Sequence, residues 1–236
     1  MSNLRIALVA EGTTDYILIE EALKAILRQR TFVLTLLQPD TSDAFGGAGV
    51  YGGGWGGVYR WCRKVLGMNF AVNLNPSLTM FDLVILHLDA DVAGMRYQDA
   101  NIYDGFDDLP CQLPCPPAAA TVNNLRRVMA NWLGLPETVP DQWVFCIPSK
   151  SIEAWLVAAL YGQTETNLIQ DIECYPGLES WLAQRPIREG RLIRRNRKQV
   201  KMYRQKAPIL GSAWGEVCRH CTQAARFDKK IQAALH

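Results

Sequence analysis

The chain has 236 residues, of which 49% are hydrophobic and 20% charged, with a net charge of +2. This is ordinary globular composition, enough for one large domain with or without a small appendage. No run of 18 or more apolar residues is present, which excludes a membrane span. The N-terminal segment, which ends on Glu11, lacks the small-residue cleavage site of a signal peptide, so we expect a cytoplasmic protein without membrane contact.

Apolar segments alternate with amphipathic ones along the first two thirds of the chain. In chain order, the pattern predicts a strand at 4–10, a helix at 13–30, strands at 31–38 and 82–89, a helix at 121–134, a strand at 142–149 and a helix at 151–162. Strands that are apolar on both faces and alternate with helices are typical of a parallel sheet covered on both sides. We therefore predict an α/β fold with a parallel sheet of about four strands flanked by helices.

Two segments interrupt this alternation. Residues 46–57 contain eight glycines and lack the GK[ST] ending of a phosphate-binding loop, so we interpret them as a mobile flap at the site or as a flexible linker. Residues 99–117 are rich in Asp, Pro and Cys and predict a long loop. Beyond about residue 163 the periodicity weakens, which divides the chain into a domain at 1–162 and a basic helical appendage at 163–236.

The positive charge is concentrated in this C-terminal appendage, before a last predicted helix at about 212–235. Residues 185–206 contain ten Lys and Arg and one acid, a local charge of +9, so the remainder carries −7. Such a concentration favours contact with nucleic acid, and the alternative is a solvated helix face. Tyr203 either stacks on a base or is a partly buried packing residue. The residues expected to hold a nucleic-acid backbone are Arg188, Arg191, Arg194, Arg195, Arg197, Lys198 and Lys201.

Seven cysteines, an odd number in a chain without a secretion signal, predict that there is no structural disulfide. Two closely spaced pairs, Cys111 with Cys115 and Cys218 with Cys221, could together form a four-thiolate zinc site. The alternative is that these thiols are buried or incidental.

Acidic residues follow three of the predicted strands, at the edge where ligands bind a parallel sheet. These ends carry Glu11 with Asp15, Asp89 with Asp91, and Lys150 with Glu153. Because residues i and i+2 of an extended chain point the same way, Asp89 and Asp91 are expected to face one site. Close carboxylates raise one another's pKa, and a hard divalent cation, Mg²⁺ or Mn²⁺, relieves that repulsion. The alternative for Asp15 and Glu153 is that each complements the dipole of its own helix.

Three segments in this order resemble the TOPRIM domain of topoisomerases, primases and OLD nucleases: "VAEGTTD", "LVILHLDAD" and "IPSKSIEAWLVAAL". The third segment and "GGGWGGVYRW" are similar to TOPRIM-like proteins of unknown function that are often encoded beside AAA-type ATPases. The resemblance covers roughly residues 4–162 and does not include the basic segment.

The resemblance implies a Mg²⁺-dependent nuclease that hydrolyses nucleic-acid phosphodiesters, as the effector of an anti-phage defence system. It implies that Glu11 binds metal or acts as general base, that Asp89 and Asp91 bind metal, and that Glu153 serves a second metal, with Asp15 beside it. Lys150 either neutralises charge in the transition state or is a surface lysine. The usual Asp-x-Asp is followed by acidic or small polar residues, whereas Val92-Ala93-Gly94 follows here, which leaves the second metal position open.

Two other interpretations stay open. The chain could be the nucleic-acid-binding or effector subunit of a complex driven by an AAA- or ABC-type ATPase, inactive alone, and a second copy of the chain is a further candidate partner. It could instead be a phosphotransfer protein of receiver or phosphatase type, but Glu11 then stands where a nucleophilic aspartate is expected.

Overall fold

The computed structural model describes residues 3–40, 49–68, 77–103, 109–136 and 139–235. A parallel sheet of four strands lies at its centre, in the order β2-β1-β3-β4. The strands are β1 (Leu4–Val9), β2 (Phe32–Gln38), β3 (Leu83–His87) and β4 (Trp143–Cys146). The predicted α/β class and the four-stranded parallel sheet flanked by helices are confirmed.

Helices occupy most of the remaining described chain. They are α1 (Thr13–Ile26), α2 (Gly54–Met68), α3 (Ala119–Trp132), α4 (Glu153–Tyr161), α5 (Thr166–Ile169), α6 (Leu178–Gln184), α7 (Val200–Ser212), α8 (Trp214–His220) and α9 (Thr222–Ala234). Between α6 and α7 lies a small antiparallel hairpin of β5 (Ile193–Arg194) and β6 (Arg197–Lys198). None of the described helices is both long enough and apolar enough to cross a membrane.

Both faces of the sheet are buried at β3, at β4 and at residues 6–9 of β1, whereas the edge strand β2 leaves Val33 53% exposed. Successive residues of β1, such as Leu8 and Val9, point to opposite faces of the sheet. One face packs against α1, α4 and α7 to α9, and the other packs against α2 and α3. The sheet is therefore the middle layer of three, and its carboxyl edge is the place where a functional site can form.

The C-terminal residues pack on the same core as the sheet. Ala207 and Leu210 of α7, and Phe227 and Ile231 of α9, are at most 2% exposed and belong to the core that contains β1. The helix predicted at about 212–235 is two helices, α8 and α9, which meet at Cys221. The division of the chain at residue 162 itself stays a prediction.

The glycine-rich segment is helical in part. Residues 45–48 lie outside the described residues, but α2 begins at Gly54, so the loop interpretation is wrong for residues 54–57. The helix forms because Trp55, Tyr59 and other large apolar side chains recur at helical spacing and are buried. Gly57 allows the close packing, since a Cβ there would overlap the carbonyl oxygen of Gly52.

Cys115 and Cys174 form a disulfide bond, so the prediction of no structural disulfide is wrong. The two residues are 59 apart in the chain. They meet because the loop before α3 lies against the turn that follows α5, a proximity that spacing in sequence does not show.

The zinc alternative is wrong as well. Cys115 is part of the disulfide, and the Sγ atoms of Cys218 and Cys221 lie 3.9 Å from two separate oxygens, those of the Asp228 carboxylate and the Ala154 carbonyl. Cys111 is exposed and Cys221 is buried. A tetrahedral thiolate site needs all four sulfurs on one ion.

Candidate active site

The carboxyl ends of β1, β3 and β4 meet at one edge of the sheet. The backbone N–H of Asp89, after β3, donates a 2.8 Å hydrogen bond to Oε1 of Glu11, after β1. Oδ1 of Asp89 accepts a 2.9 Å hydrogen bond from the N–H of Ile152, which precedes α4. These two bonds join three segments that are distant in the sequence, and the predicted convergence of Glu11 and Asp89 is present in the structure.

His87 lies beneath these acids, and the sequence analysis missed it. Its side chain is fully buried, with Nε2 3.3 Å from Oδ1 of Asp89 and Nδ1 3.8 Å from Oδ2 of Asp15. Among the residues that the structure describes, neither ring nitrogen has a hydrogen-bond partner of good geometry, so charge attraction to Asp89 and Asp15 is the main contact. A sequence signal did exist, because His87 precedes Asp89 by two residues in an extended segment, where residues i and i+2 point the same way.

Asp15 is 3% exposed and lies in the first turn of α1, which begins directly after Gly12. Burial raises the pKa of Asp15 to about 6, because the attraction of His87 is smaller than the cost of losing water and the repulsion of Asp89 adds to it. A group that served only to complement the helix dipole would have no reason to be buried beside two other acids. Asp15 therefore belongs, with Glu11 and Asp89, to one acidic cluster at this edge of the sheet.

The charges of the cluster are out of balance. Burial away from solvent is the main reason that the pKa of Glu11 is well above its ordinary value, and repulsion by Asp89 is the second reason. Burial alone lowers the pKa of His87, but the attraction of Asp89, Asp15 and Glu11 outweighs it and raises that pKa to about 9. At neutral pH one imidazolium therefore faces several carboxyl groups, and the cluster favours an additional cation.

The backbone conformation at Asp91 differs from the extended one that the sequence predicted. Strand β3 ends at His87, and Asp91 lies in a 3₁₀ turn, Ala90–Val92, so the extended-chain argument for its direction is wrong. Asp89 is buried, whereas Asp91 is exposed at the rim. Although the residue as a whole is exposed, surrounding protein keeps water from its carboxyl group, and this effect together with repulsion by Asp89 raises the pKa of Asp91 to about 7.

Lys150 is connected to the site through its backbone. Its carbonyl oxygen accepts a 3.1 Å hydrogen bond from the N–H of Asp91, and the carbonyl of Pro148 accepts one of 3.0 Å from Ala90. These bonds hold the turn after β3 against the segment after β4. The lysine side chain is half-buried, and both roles predicted for it stay open.

Glu153 forms a second group at this edge, with partners that sequence reasoning missed. Its carboxylate is fully buried in the first turn of α4. Nζ of Lys198 lies 2.7 Å from Oε1 of Glu153, and the hydroxyl of Tyr203 donates a 2.8 Å hydrogen bond to the same atom. Burial alone raises the pKa of Glu153, but Lys198 and these hydrogen bonds outweigh it and lower that pKa.

The residues predicted to contact nucleic acid divide into two groups. Arg188, Arg194, Arg195, Arg197 and Lys201 are exposed. Lys198 instead faces Glu153 and also lies 3.1 Å from Oε1 of Glu179. Arg191 is half-buried and donates a hydrogen bond to a backbone carbonyl.

The exposed arginines are displayed by a tight turn beside the acidic edge. Arg195 and Asn196 have φ values of 49° and 57°, as a two-residue type I′ hairpin turn requires. Lys198, at the base of this hairpin, reaches Glu153, so the base of the hairpin lies at the site. Tyr203 is fully buried, so the proposed base-stacking role for it is wrong and the packing alternative holds.

The donor atoms at this edge suit a hard divalent ion, although their present spacing does not form a complete ligand set. Within the described ranges, no three His, Cys, Asp or Glu side chains are arranged to hold a metal. The oxygens that fit are those of Glu11, Asp89 and Asp91, because Glu11 and Asp89 are joined at the strand ends and Asp91 lies in the turn that follows β3. Oε2 of Glu153 is buried and has no hydrogen-bond partner in the described part of the chain.

Comparison of the chain with protein-family models, with curated proteins and with solved structures gives no match.

Proposed function

We propose that the chain is a Mg²⁺- or Mn²⁺-dependent, TOPRIM-like nuclease that hydrolyses nucleic-acid phosphodiesters. The observation that supports it best is the hydrogen bond from the N–H of Asp89 to Oε1 of Glu11. It brings together two acids that a buried sheet has no structural reason to collect. Burying carboxyl groups side by side costs stability, and such a cost is typical of functional sites.

Glu11, Asp89 and Asp91 are the residues that would hold the ion. The ion supplies positive charge for the phosphate oxygens and lowers the pKa of water. The alternative role for Glu11 is that of the general base that takes a proton from the attacking water. His87 holds Asp89 and Asp15 in place from below, since its two ring nitrogens lie 3.3 Å and 3.8 Å from their oxygens.

The basic hairpin supports a polyanionic substrate. Arg194, Arg195 and Arg197 are exposed and surround a turn whose base contacts Glu153. A nucleic-acid backbone held by these arginines would pass the acidic edge without a large movement of the protein. Phosphate contacts of this kind give affinity that does not depend on base sequence.

The proposal is tested with the purified full chain, single- and double-stranded DNA, and RNA, in Mg²⁺, Mn²⁺ or EDTA. We expect metal-dependent cutting, reduced at least about 100-fold in Asp89→Asn, as for loss of one group that stabilises transition-state charge. Asparagine keeps an oxygen to accept the Ile152 N–H, so the fold is retained. The control is Asp82→Asn, because Asp82 lies just before β3, at the opposite edge of the sheet, and binds the N–H of Arg5.

Cutting that persists in EDTA, or that is unchanged in Asp89→Asn, contradicts the proposal. Nucleic-acid and Mn²⁺ binding without cutting would instead favour the subunit interpretation, in which an ATPase partner is needed. Adding an AAA- or ABC-type ATPase then separates an inactive chain from one that waits for its partner.

A further inference from the structure

At the carboxyl edge of the sheet, the charge of Glu153 is balanced differently from the charges of Glu11 and Asp89. Oε1 of Glu153 has two donors, the Lys198 ammonium at 2.7 Å and the Tyr203 hydroxyl at 2.8 Å. Both donors come from the C-terminal part of the chain, and the glutamate is fully buried. A buried carboxylate needs such a partner, because an unpaired charge in the protein interior is very costly.

Among the described residues, Glu11 and Asp89 have no lysine partner comparable to Lys198. Glu11 accepts the Asp89 N–H, and Asp89 accepts the Ile152 N–H. Within the described ranges, no Lys or Arg forms an ion pair with either residue, and His87 is the nearest cation. The group at the ends of β1 and β3 therefore lacks the lysine that balances the charge of Glu153, although among the described residues Oε2 of Glu153 accepts no hydrogen bond.

We propose that the Lys198 ammonium occupies the place of a second divalent ion at Glu153, so that the site takes a single ion, at Glu11, Asp89 and Asp91. This inference rests on the proposed function, because it concerns how many ions that site holds. It reverses the expectation that Glu153 serves a second metal. An ion on Oε1 of Glu153 would have to displace the ammonium group, since two cations cannot share that oxygen without strong repulsion.

The hairpin explains how Lys198 is held there. Residues Ile193 and Lys198 pair at its base, and Arg194 and Arg197 pair next to the turn. Lys198 also lies 3.1 Å from Oε1 of Glu179, so two acids orient the ammonium group. A lysine carried by a short strand keeps a defined position, which a flexible surface lysine does not.

The test is calorimetric titration of the full chain with MnCl₂, which counts ions without measuring cutting. Wild-type protein is expected to bind one Mn²⁺. Lys198→Met, which frees Glu153, is expected to bind two, and the second is lost again in Lys198→Met combined with Glu153→Gln. Lys229→Met is the control, because Lys229 is exposed on α9 and its loss changes the net charge equally.

Glu153→Gln in the wild-type background gives an independent result if Lys198→Met does not fold. One ion should still bind, whereas a Glu153 that ligates metal would lose an ion. Two ions on the wild-type chain, or one ion on a folded Lys198→Met, overturns this inference and leaves the proposed nuclease intact. No Mn²⁺ binding by any of these proteins overturns the proposed function and this inference with it.

Discussion

The backbone N–H of Asp89 donates a 2.8 Å hydrogen bond to Oε1 of Glu11, across 78 residues of sequence. The bond forms because β1 and β3 are parallel neighbours, with Val9 opposite Leu86 at their carboxyl ends. It uses one oxygen of Glu11 for structure. The negative charge of that carboxylate is not needed for this bond, and so structure and function can be separated by substitution.

Glu11→Gln is expected to stabilise the metal-free protein. Glutamine keeps an oxygen for the Asp89 N–H but removes a charge that Asp89 and Asp15 repel. We expect the free energy of unfolding to increase by about 1 kcal/mol, as is common for single stabilising substitutions. Urea denaturation in EDTA measures it. Glu11→Ala, which also removes the acceptor, should lose stability instead, and a loss in both variants would contradict this account.

The Asp15 carboxyl group should make stability depend on pH. Its pKa is raised from 3.8 to about 6 in the folded protein, so its stabilising contribution is complete below pH 3.8 and is lost as the pH rises through about 6. Asp15→Asn removes this loss. The melting temperature of Asp15→Asn minus that of wild type, both measured in EDTA, should therefore increase as the pH rises from about 4 to about 6. A constant difference across that interval would show that burial and the neighbouring acids do not raise the pKa of Asp15 in the folded protein.

His87 should add a separate change at higher pH. Its pKa is raised from 6.5 to about 9, so the stability it contributes is complete below pH 6.5 and is lost as the pH rises through about 9. Because imidazole signals report protonation directly, an NMR titration of the ring protons is the measurement. A midpoint below 6.5 would contradict the charged imidazole between Asp15 and Asp89.

Tyr203→Phe should destabilise the protein by about 1.5–3 kcal/mol, the usual effect of losing a hydrogen bond to a charged group. The hydroxyl that it removes is fully buried and donates to Glu153, which keeps only Lys198 on that oxygen. Urea denaturation measures the effect. Tyr103→Phe is the control, since Tyr103 is 73% exposed and its substitution should change little. Equal effects of the two substitutions would mean that the Glu153 contact is weak.

Arg194, Arg195 and Arg197 should account for much of the nucleic-acid affinity. Changing all three to Gln is expected to weaken binding and to reduce the slope of log affinity against log salt by about 3. Fluorescence anisotropy over a salt series measures both. A triple Gln variant of three exposed cations on α8 and α9, namely Arg219, Lys229 and Lys230, makes the same charge change elsewhere. The same slope in both variants would place the binding surface outside the hairpin.

The sequence by itself determined the alternation of strands and helices and the acids that follow the strands. Those features are local, because an apolar run such as 83–88 shows its burial on both faces without reference to the rest of the chain. The same locality explains why Glu11 and Asp89 could be assigned to one edge. Parallel strands that are adjacent in a sheet end at the same side.

Only the tertiary structure decided which side chains meet. Lys198 and Tyr203 reach Glu153 because α7 packs against α1 and α4, and Cys115 reaches Cys174 because two loops meet. The periodicity of a segment shows which face is buried but not which segment covers it. The balance of charge at this edge therefore depends on packing between distant parts of the chain, since ion pairs and hydrogen bonds act over only a few ångströms.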